Sequence, residues 1–248
     1  MPKTMKASAM AALLLATPTL AGAADQRTWL NPTLSAEERA KAVLAAMTTD
    51  EKLRLIFGFT SPKAEDLAKI PDDIVSPELK SYVLAHEIKG AAGFVPGVPR
   101  LGIPDQTQTD ASMGVRDAEI PSTALPSSLA TAASFDPAVT EAGGAMIGAE
   151  AKATGFNTFL AGGVNLAREP RNGRNFEYTG EDPLLAGTMA GGLIRGIQSA
   201  HMISTVKHFA VNDQESQRTT VDVTIAPEAM RVSDLLAFEF AYERGRPA

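Results

Sequence analysis

Apolar residues along this chain fall into two rhythms. Up to about residue 57 they recur at helical spacing: Ala40, Val43, Leu44 and Met47 share one face, and Leu53, Leu55 and Ile56 follow on a second run. Each run is preceded by a capping box, Ser35-x-x-Glu38 and Thr48-x-x-Glu51, whose side chains satisfy the free amides of a first helical turn. Two packing helices are therefore predicted. Residues 58–89 are divided by Pro62, Pro71 and Pro77 and read as an insertion loop with one helix near Pro77 to Ile88.

From Ala91 short apolar runs alternate with helical ones. Gly93-Phe94-Val95 and Leu101-Gly102-Ile103-Pro104 open the series. A helix starts at Ser134-Phe135-Asp136-Pro137 and runs to about Thr154, a strand covers Asn157 to Ala161, and a second helix spans Pro183 to Ala200. A strand from Ile203 to Phe209 leads to an extended run from Thr219 to Ile225. Pro227 then opens a last helix, with Gly245 at its C-terminal cap position. Strand-helix alternation of this kind predicts a parallel α/β architecture of five or six units. In a (β/α) barrel the chemistry gathers at the C-terminal ends of the strands. Closing a barrel needs a further strand after the last helix, and this topology together with the resemblance described below makes the expected fold a (β/α)8 TIM-barrel-like domain, incomplete at its C-terminus. The chain is accordingly expected to be the N-terminal piece of a longer protein, exposing strand edges and poorly soluble alone.

One stretch follows neither rhythm. Residues 165–183 carry Arg168, Arg171 and Arg174 with Glu169, Glu177, Glu181 and Asp182, among Gly, Pro and Asn. This predicts a long ordered loop that ends where Asp182-Pro183 starts a helix. Such a loop is either a binding loop, whose contacts offset the entropy of ordering it, or a solvated salt-bridged connection.

Composition narrows the partners. Met1 to Ala23 holds Lys3 and Lys6, an alanine-rich apolar run and the small-residue site Ala21-Gly22-Ala23, the pattern of a secretory signal peptide. It is too short for a membrane span with stop-transfer flanks, so no membrane insertion is expected. Removing the two lysines takes the formal charge of -6 to -8. An acidic exported chain has no electrostatic case for nucleic acid or anionic membrane, whereas a neutral sugar needs no steering field. There is no cysteine, which excludes a disulfide frame and a thiolate nucleophile. His86, His201 and His208 lack metal-ligand spacing, so no metal or other cofactor is expected. Gly143-Gly144 and Gly191-Gly192 lie inside helical patterns rather than in a strand-turn-helix dinucleotide context.

Three segments together carry a resemblance. Asn165-Leu166-Ala167-Arg168-Glu169-Pro170 through Glu181-Asp182-Pro183 resembles the signature loop of glycoside hydrolase family 3, the exo-acting β-glucosidase and β-xylosidase family. Asp110-Ala111-Ser112-Met113-Gly114-Val115-Arg116 resembles its D-G-P-x-G-V-R turn, and Lys207 to Glu215 with Arg218 resembles its K-H-F-A-x-N-x-Q-E-x-x-R segment. The three occur in the family's order, and the likeness covers roughly residues 35–248. With the leader pattern at 1–23, the chain is expected to divide into a signal peptide (1–23), an N-terminal helical segment and insertion (24–90) and a partial barrel of that family (91–248).

The resemblance implies that Asp110 grips the far side of a terminal sugar ring. Its bare alternative is a turn-capping aspartate. Arg174, Lys207 and His208 would complete the donor side, with Arg218 a positioning charge in the same substrate-binding set. Arg168, Glu177 and Glu215 are expected to hold the loops in shape. The implied reaction is double displacement with retention, using two carboxylates about 5 Å apart. The family's nucleophile sits in an S-D-W-like motif that this chain lacks, and its acid/base lies later, so no catalytic residue is assigned within the 248 residues. Glu177 and Asp213 would be the first suspects if the chain alone proved active. Lys207-His208-Phe209-Ala210-Val211-Asn212-Asp213 lacks the second His and the Gly of the β-N-acetylglucosaminidase branch. Ala111-Ser112 and Met113 depart from the family turn and bear on the pocket rim. A β-glucosidase acting on β-linked glucosides or oligosaccharides is the leading expectation, with a β-xylosidase and a non-catalytic exported carbohydrate-binding protein as alternatives. Oligomeric state is left open.

Overall fold

The structure is a computed structural model that describes residues 27–60, 63–86, 90–110, 113–116 and 121–248. The expected signal peptide lies outside those residues. The chain divides into two units, Met1–Met47 and Thr48–Ala248. In the first, a 3-10 turn (Thr28–Leu30) precedes helix α1 (Ala36–Ala46), where Ser35 and Glu38 form the predicted capping box. Arg39 Nε donates to the Trp29 carbonyl at 2.6 Å and ties helix to turn.

The second unit begins with α2 (Thr49–Leu55), capped by Thr48 and Glu51 as predicted. The region expected to be a loop with one helix holds two, α3 (Ala64–Leu67) and α4 (Pro77–His86). They form a core of their own: Phe59, Leu67, Val75 and Val83 are buried against Phe94. Phe94 belongs to β1 (Gly93–Val95), the first of four strands among the described residues.

The sheet corrects two expectations. Its order is β1, β2 (Gln106–Asp110), β3 (Thr158–Leu160), β4 (Ile203–Ser204). β1 and β2 run antiparallel, with Phe94 opposite Thr107, while β2–β3 and β3–β4 are parallel. The sheet is therefore mixed. Residues 96–105 are too few for the crossover that a parallel pair needs, so the chain doubles back. Within them, Leu101–Pro104 is not a strand: a 3-10 turn (Pro99–Leu101) ends at Gly102, whose φ of 72° is readily available only to glycine. Among the described residues four strands in one mixed sheet stand where five or six parallel units were expected, and they do not by themselves make up an eight-stranded barrel. β4 stops at Ser204 instead of Phe209, and residues 221–226 pair with no strand.

β2 explains why it escaped the hydrophobic pattern. Its residues are Gln-Thr-Gln-Thr-Asp, and the face it buries is threonine: Thr107 and Thr109 are buried, and Thr107 Oγ1 donates to the Gly155 carbonyl at 3.1 Å. A β-branched hydroxyl residue suits a pleated buried face once its polar atom has a partner.

Helices α5 (Ser128–Ala132), α6 (Pro137–Ala153) and α7 (Pro183–Ser199) carry the chain between the parallel strands. Asp136 and Asp182 accept from first-turn amides and start α6 and α7 where the Asp-Pro pairs predicted. Ile147, Ala151 and Ile197 close over Phe156 and Phe159, while Ala186, Ala190 and Ile194 of α7 face Ala237, Phe238 and Ala241. Those last residues lie on α9 (Asp234–Gly245), which Ser233 separates from α8 (Pro227–Val232), so the single helix expected from Pro227 is two.

Helix α7 is packed closely on both sides because it presents glycine there. A Cβ added at Gly187 would sit 2.7 Å from the Ala237 carbonyl of α9, and one at Gly192 2.5 Å from the Pro137 carbonyl of α6. Gly245 answers the same demand. It is the last residue of α9, its added Cβ would meet Gly191 Cα at 3.0 Å, and Arg246 (φ 49°) takes the left-handed cap position expected of Gly245. The glycine is spent on helix contact rather than on capping.

Two substitutions separate close approach from helix propensity. Gly196→Ala drives a methyl into the Glu141 carbonyl and the Ala145 amide of α6. It is expected to destabilise by about 2 kcal/mol, as overpacking does. Gly143→Ala meets only the mobile tip of Leu125 at 3.3 Å. It is expected to be neutral or to stabilise by up to about 1 kcal/mol through helix propensity. Urea midpoints of the two variants check the contrast, and equal midpoints would refute it.

Candidate functional site

The parallel strands end at one edge, and the charged residues singled out in the sequence collect there. Asp110 is the last residue of β2, in register with Leu160 of β3. Beyond β3 and β4 the parallel pairing continues as a bridge between Gly163 and Lys207, in which Val164 N donates to Lys207 O at 2.9 Å and Lys207 N to Gly162 O at 3.0 Å. Backbone register therefore carries Lys207 to the strand ends beside Asp110. Lys207 Nζ lies 2.5 Å from Asp110 Oδ1, while Arg116 Nη1 stands 4.0 Å from Asp110 Oδ2.

The 165–182 loop folds back over this edge. A 3-10 turn (Asn175–Glu177) follows Arg174 and lies on Gly163: a Cβ there would be 2.6 Å from the Glu177 carbonyl. The residue must be glycine for the loop to come down. Asn165, almost fully buried, uses both ends of its amide on one residue, accepting from His208 N at 2.7 Å and donating to His208 O at 3.1 Å. The bonds around His208 fix its orientation, in a segment where the Lys207–His208 and Phe209–Ala210 peptides are cis.

Arg174 is the centre of the charge network. Its guanidinium bonds Glu177, faces Glu215 Oε2 at 3.7 Å, and places Nη2 2.9 Å from His208 Nε2. A guanidinium only donates, so His208 Nε2 accepts and the ring proton sits on Nδ1. Nδ1 is 3.4 Å from the Tyr178 hydroxyl, which donates to the Asn212 carbonyl at 3.1 Å. Burial, then the charges of Lys207 and Arg174, lower the His208 pKa from 6.5 to about 4. At neutral pH the ring is a neutral acceptor. Burial also raises the Tyr178 hydroxyl above its usual range, keeping it protonated. Arg174 Nη1 is buried and finds no hydrogen-bond partner among the described residues.

The structure thus brings Asp110, Lys207, His208 and Arg174 together. Arg218 stands at the rim, its Nε 3.6 Å from Glu215 Oε1, so Glu215 spans Arg174 and Arg218. Arg168 turns away from this cluster to Asp213 (3.1 Å) and to Asp234 at the start of α9. Asn165 opens the signature loop and Asp213 was named only as a catalytic suspect, while Tyr178 and Asp234 were given no role at this edge from the sequence. Tyr178 sits inside the signature loop, but nothing in the chain's order signals its contact with residues 208 and 212. Among the described residues no group of three or more His, Cys, Asp or Glu could hold a metal ion, and no helix is long and apolar enough to cross a membrane.

Comparison with known proteins gives a consistent result. The family model for the glycosyl hydrolase family 3 N terminal domain matches residues 36–246. The chain is 40% identical over 189 residues to thermostable beta-glucosidase B of Acetivibrio thermocellus, covering 68% of this chain and 25% of that protein. It is 41% identical over 164 residues to beta-glucosidase BoGH3A of Bacteroides ovatus, covering 61% of this chain and 22% of that one. Among solved structures, beta-glucosidase 3B of Thermotoga neapolitana in complex with glucose superposes with a TM-score of 0.71 at 31% identity, covering 84% of this chain and 28% of that chain. The chain therefore spans about a quarter of the length of these relatives.

The lowered pKa of His208 has a signed consequence. Below pH 6.5 an unfolded histidine gains a proton that the folded ring refuses until about pH 4, so folding stability is lost as pH falls through that window. His208→Gln keeps an acceptor for Arg174 and removes the titration. Its melting temperature is expected to fall less steeply between pH 6.5 and 4.5 than that of the wild type. Parallel slopes would show that His208 is not held neutral.

Proposed function

This chain belongs to glycosyl hydrolase family 3, and from that premise we propose that it supplies the sugar-gripping part of an exo-acting retaining β-glucosidase. The observation that carries the reading is the cluster at the strand ends, where Asp110 is held by Lys207 and Arg174 by Glu177 and His208. Sugar hydroxyls are neutral donor-acceptors and bind best to charged groups fixed in place beforehand. Asp110, about one third exposed at its side chain, accepts from two neighbouring hydroxyls while Lys207 donates. Arg174, held by Glu177 and His208, offers a guanidinium already fixed in direction beside the Asp110–Lys207 pair. His208 enters the pocket as a neutral ring that steers the guanidinium. Arg218 sets charge at the rim through Glu215.

The substrate class follows the named activity of the relatives, which are beta-glucosidases. The reaction is double displacement: one carboxylate attacks the anomeric carbon and a second protonates the leaving oxygen, the pair about 5 Å apart. Neither carboxylate is assigned here. Every buried acid at this edge is already committed to a cation, Glu177 to Arg174 and Asp213 to Arg168. Nucleophile and acid/base are proposed to come from sequence beyond Ala248. We also propose export, on Lys3, Lys6, the apolar run and Ala21-Gly22-Ala23. Amino-terminal sequencing of the protein recovered outside the cytoplasm should then begin near Ala24. A protein retained with Met1 or Pro2 at its start would reject that.

The activity test uses 4-nitrophenyl β-D-glucoside, the β-xyloside and the N-acetyl-β-glucosaminide. The whole protein is expected to prefer the glucoside, and the 248-residue chain alone to turn over none. Asp110→Asn should lower kcat/KM of the whole protein about 100-fold through loss of a charge-assisted contact. An unchanged kcat/KM in that variant would remove Asp110 from the pocket. A silent whole protein that still binds glucose would instead mark a carbohydrate-binding protein.

A further inference from the structure

Arg168, expected from the sequence to hold the loops in shape, also reaches a helix outside the family motifs. It stands on the loop that carries Arg174. Its Nε reaches Asp213 Oδ2 at 3.1 Å, on the segment that carries Lys207 and His208, and its Nη2 bonds Asp234 Oδ2 at the first turn of α9. Nη2 also lies 3.2 Å from Ser233 Oγ, which is 2.7 Å from the same Asp234 oxygen. One guanidinium edge thus fastens three segments remote in sequence. Only a planar fork of donors can do this; an ammonium is a single point.

The charges do not balance. Asp234 is 1% exposed and the Asp213 side chain 13%, and each carboxylate keeps one buried oxygen, Oδ1, with no hydrogen-bond partner among the described residues. Two buried acids share one arginine. The two acids repel each other, and burial together with Asp234 raises the Asp213 carboxyl above its usual range. The second acid is explained by geometry. Asp234 sits at the amino end of α9, where the helix favours a negative charge and fixes its position. Asp213 lies one residue beyond Asn212, whose carbonyl receives the Tyr178 hydroxyl that backs His208. Whatever holds Asp213 therefore holds the His208 segment.

We propose that Asp213 and Asp234, acting through Arg168, are positioning residues that set the Lys207–His208 segment against the Arg174 loop, with α9 as the fixed post. This rests on the β-glycosidase reading above. It concerns residues that touch no sugar: they act on KM by keeping the two halves of the sugar grip in register.

The test is steady-state kinetics on the whole protein with 4-nitrophenyl β-D-glucoside, joined to hydrogen exchange of residues 207–218. Asp213→Ala leaves Arg168 paired one-to-one with Asp234, so the fold should survive with an undiminished melting temperature. KM should rise about 10-fold with kcat changed less than about 3-fold, a displacement effect on binding. Asp213→Asn, whose carbonyl still accepts from Arg168, should recover to within about 3-fold of wild type. Arg168→Lys should raise KM as Asp213→Ala does, and the two combined should lose no more than either alone, the mark of residues acting as one unit. Exchange of 207–218 should quicken in Asp213→Ala. Wild-type turnover with Asp213→Ala unchanged in KM, or additive losses in the pair, would overturn the proposal. A wild type without turnover, in which Asp213→Ala still quickens exchange at 207–218, would uphold the fastening and reject the glycosidase reading.

Discussion

Everything at the strand ends depends on how Arg174 is kept. Its side chain is 14% exposed, and a guanidinium so placed must be surrounded by acceptors or the loop that carries it will not fold. Glu177 comes from its own 3-10 turn, Glu215 and the His208 ring from the facing segment. That demand fixes the protonation state of His208. A ring that accepts from an arginine and lies next to a lysine cannot carry a proton near neutrality, and burial pushes the same way. Tyr178 follows from His208: fully buried, it faces the protonated ring nitrogen and passes its own hydrogen to Asn212. The network is built outward from one cation.

The layer beneath makes that possible. Loop residues can meet across the strand ends only if β3 and β4 keep one register to Gly163 and Lys207, and the helices above them set how far those strands can shift. Helix α7 touches α6 and α9 through glycines on two of its sides, so the backbones lie closer than leucine or valine would allow. Packing this close has little slack, and interiors at such density transmit displacement instead of absorbing it. Asp234 at the start of α9 is thereby fixed to the same layer as Ile203 and Ser204, the strand that leads to Lys207. Helix packing and site geometry are one constraint seen from two sides.

How much of this could be read in the chain depended on whether a signal was local. Capping boxes at Ser35 and Thr48 and the Asp-Pro pairs at 136 and 182 are complete within four residues, and the structure uses each of them. β2 was missed because its buried face is threonine, which an apolar template does not count. The run Gly93–Val95 was legible, but its antiparallel direction was not, because direction is set by the length of a connection and not by the strands. Gly245 looked like a cap because caps are the common use of a terminal glycine, but here the demand came from Ile194 and Gly191, some fifty residues earlier. The same contrast holds at the site. Asp110, Arg174, Lys207 and His208 were given their roles by motif, whereas Asn165, Tyr178 and Asp213, though inside the motifs, and Asp234, outside them, take their roles from partners that only the fold supplies.

The neutral sugar proposed as ligand and a highly charged edge look mismatched until the pairing is followed. Asp110 meets Lys207, Arg174 meets Glu177 and Glu215, and Arg168 meets Asp213 and Asp234, so each charge faces an opposite one. What pairing supplies is fixed direction. An unpaired lysine or aspartate would be solvated and mobile, and a hydroxyl would have to displace that water and freeze the side chain on arrival. Here the side chains are already held, and the ordering cost was met when the chain folded. The surplus acid beside Arg168 fits the same logic, because it costs stability while tying the two gripping segments to α9. The charges at this edge hold the protein to itself, and that is how they would come to hold a sugar.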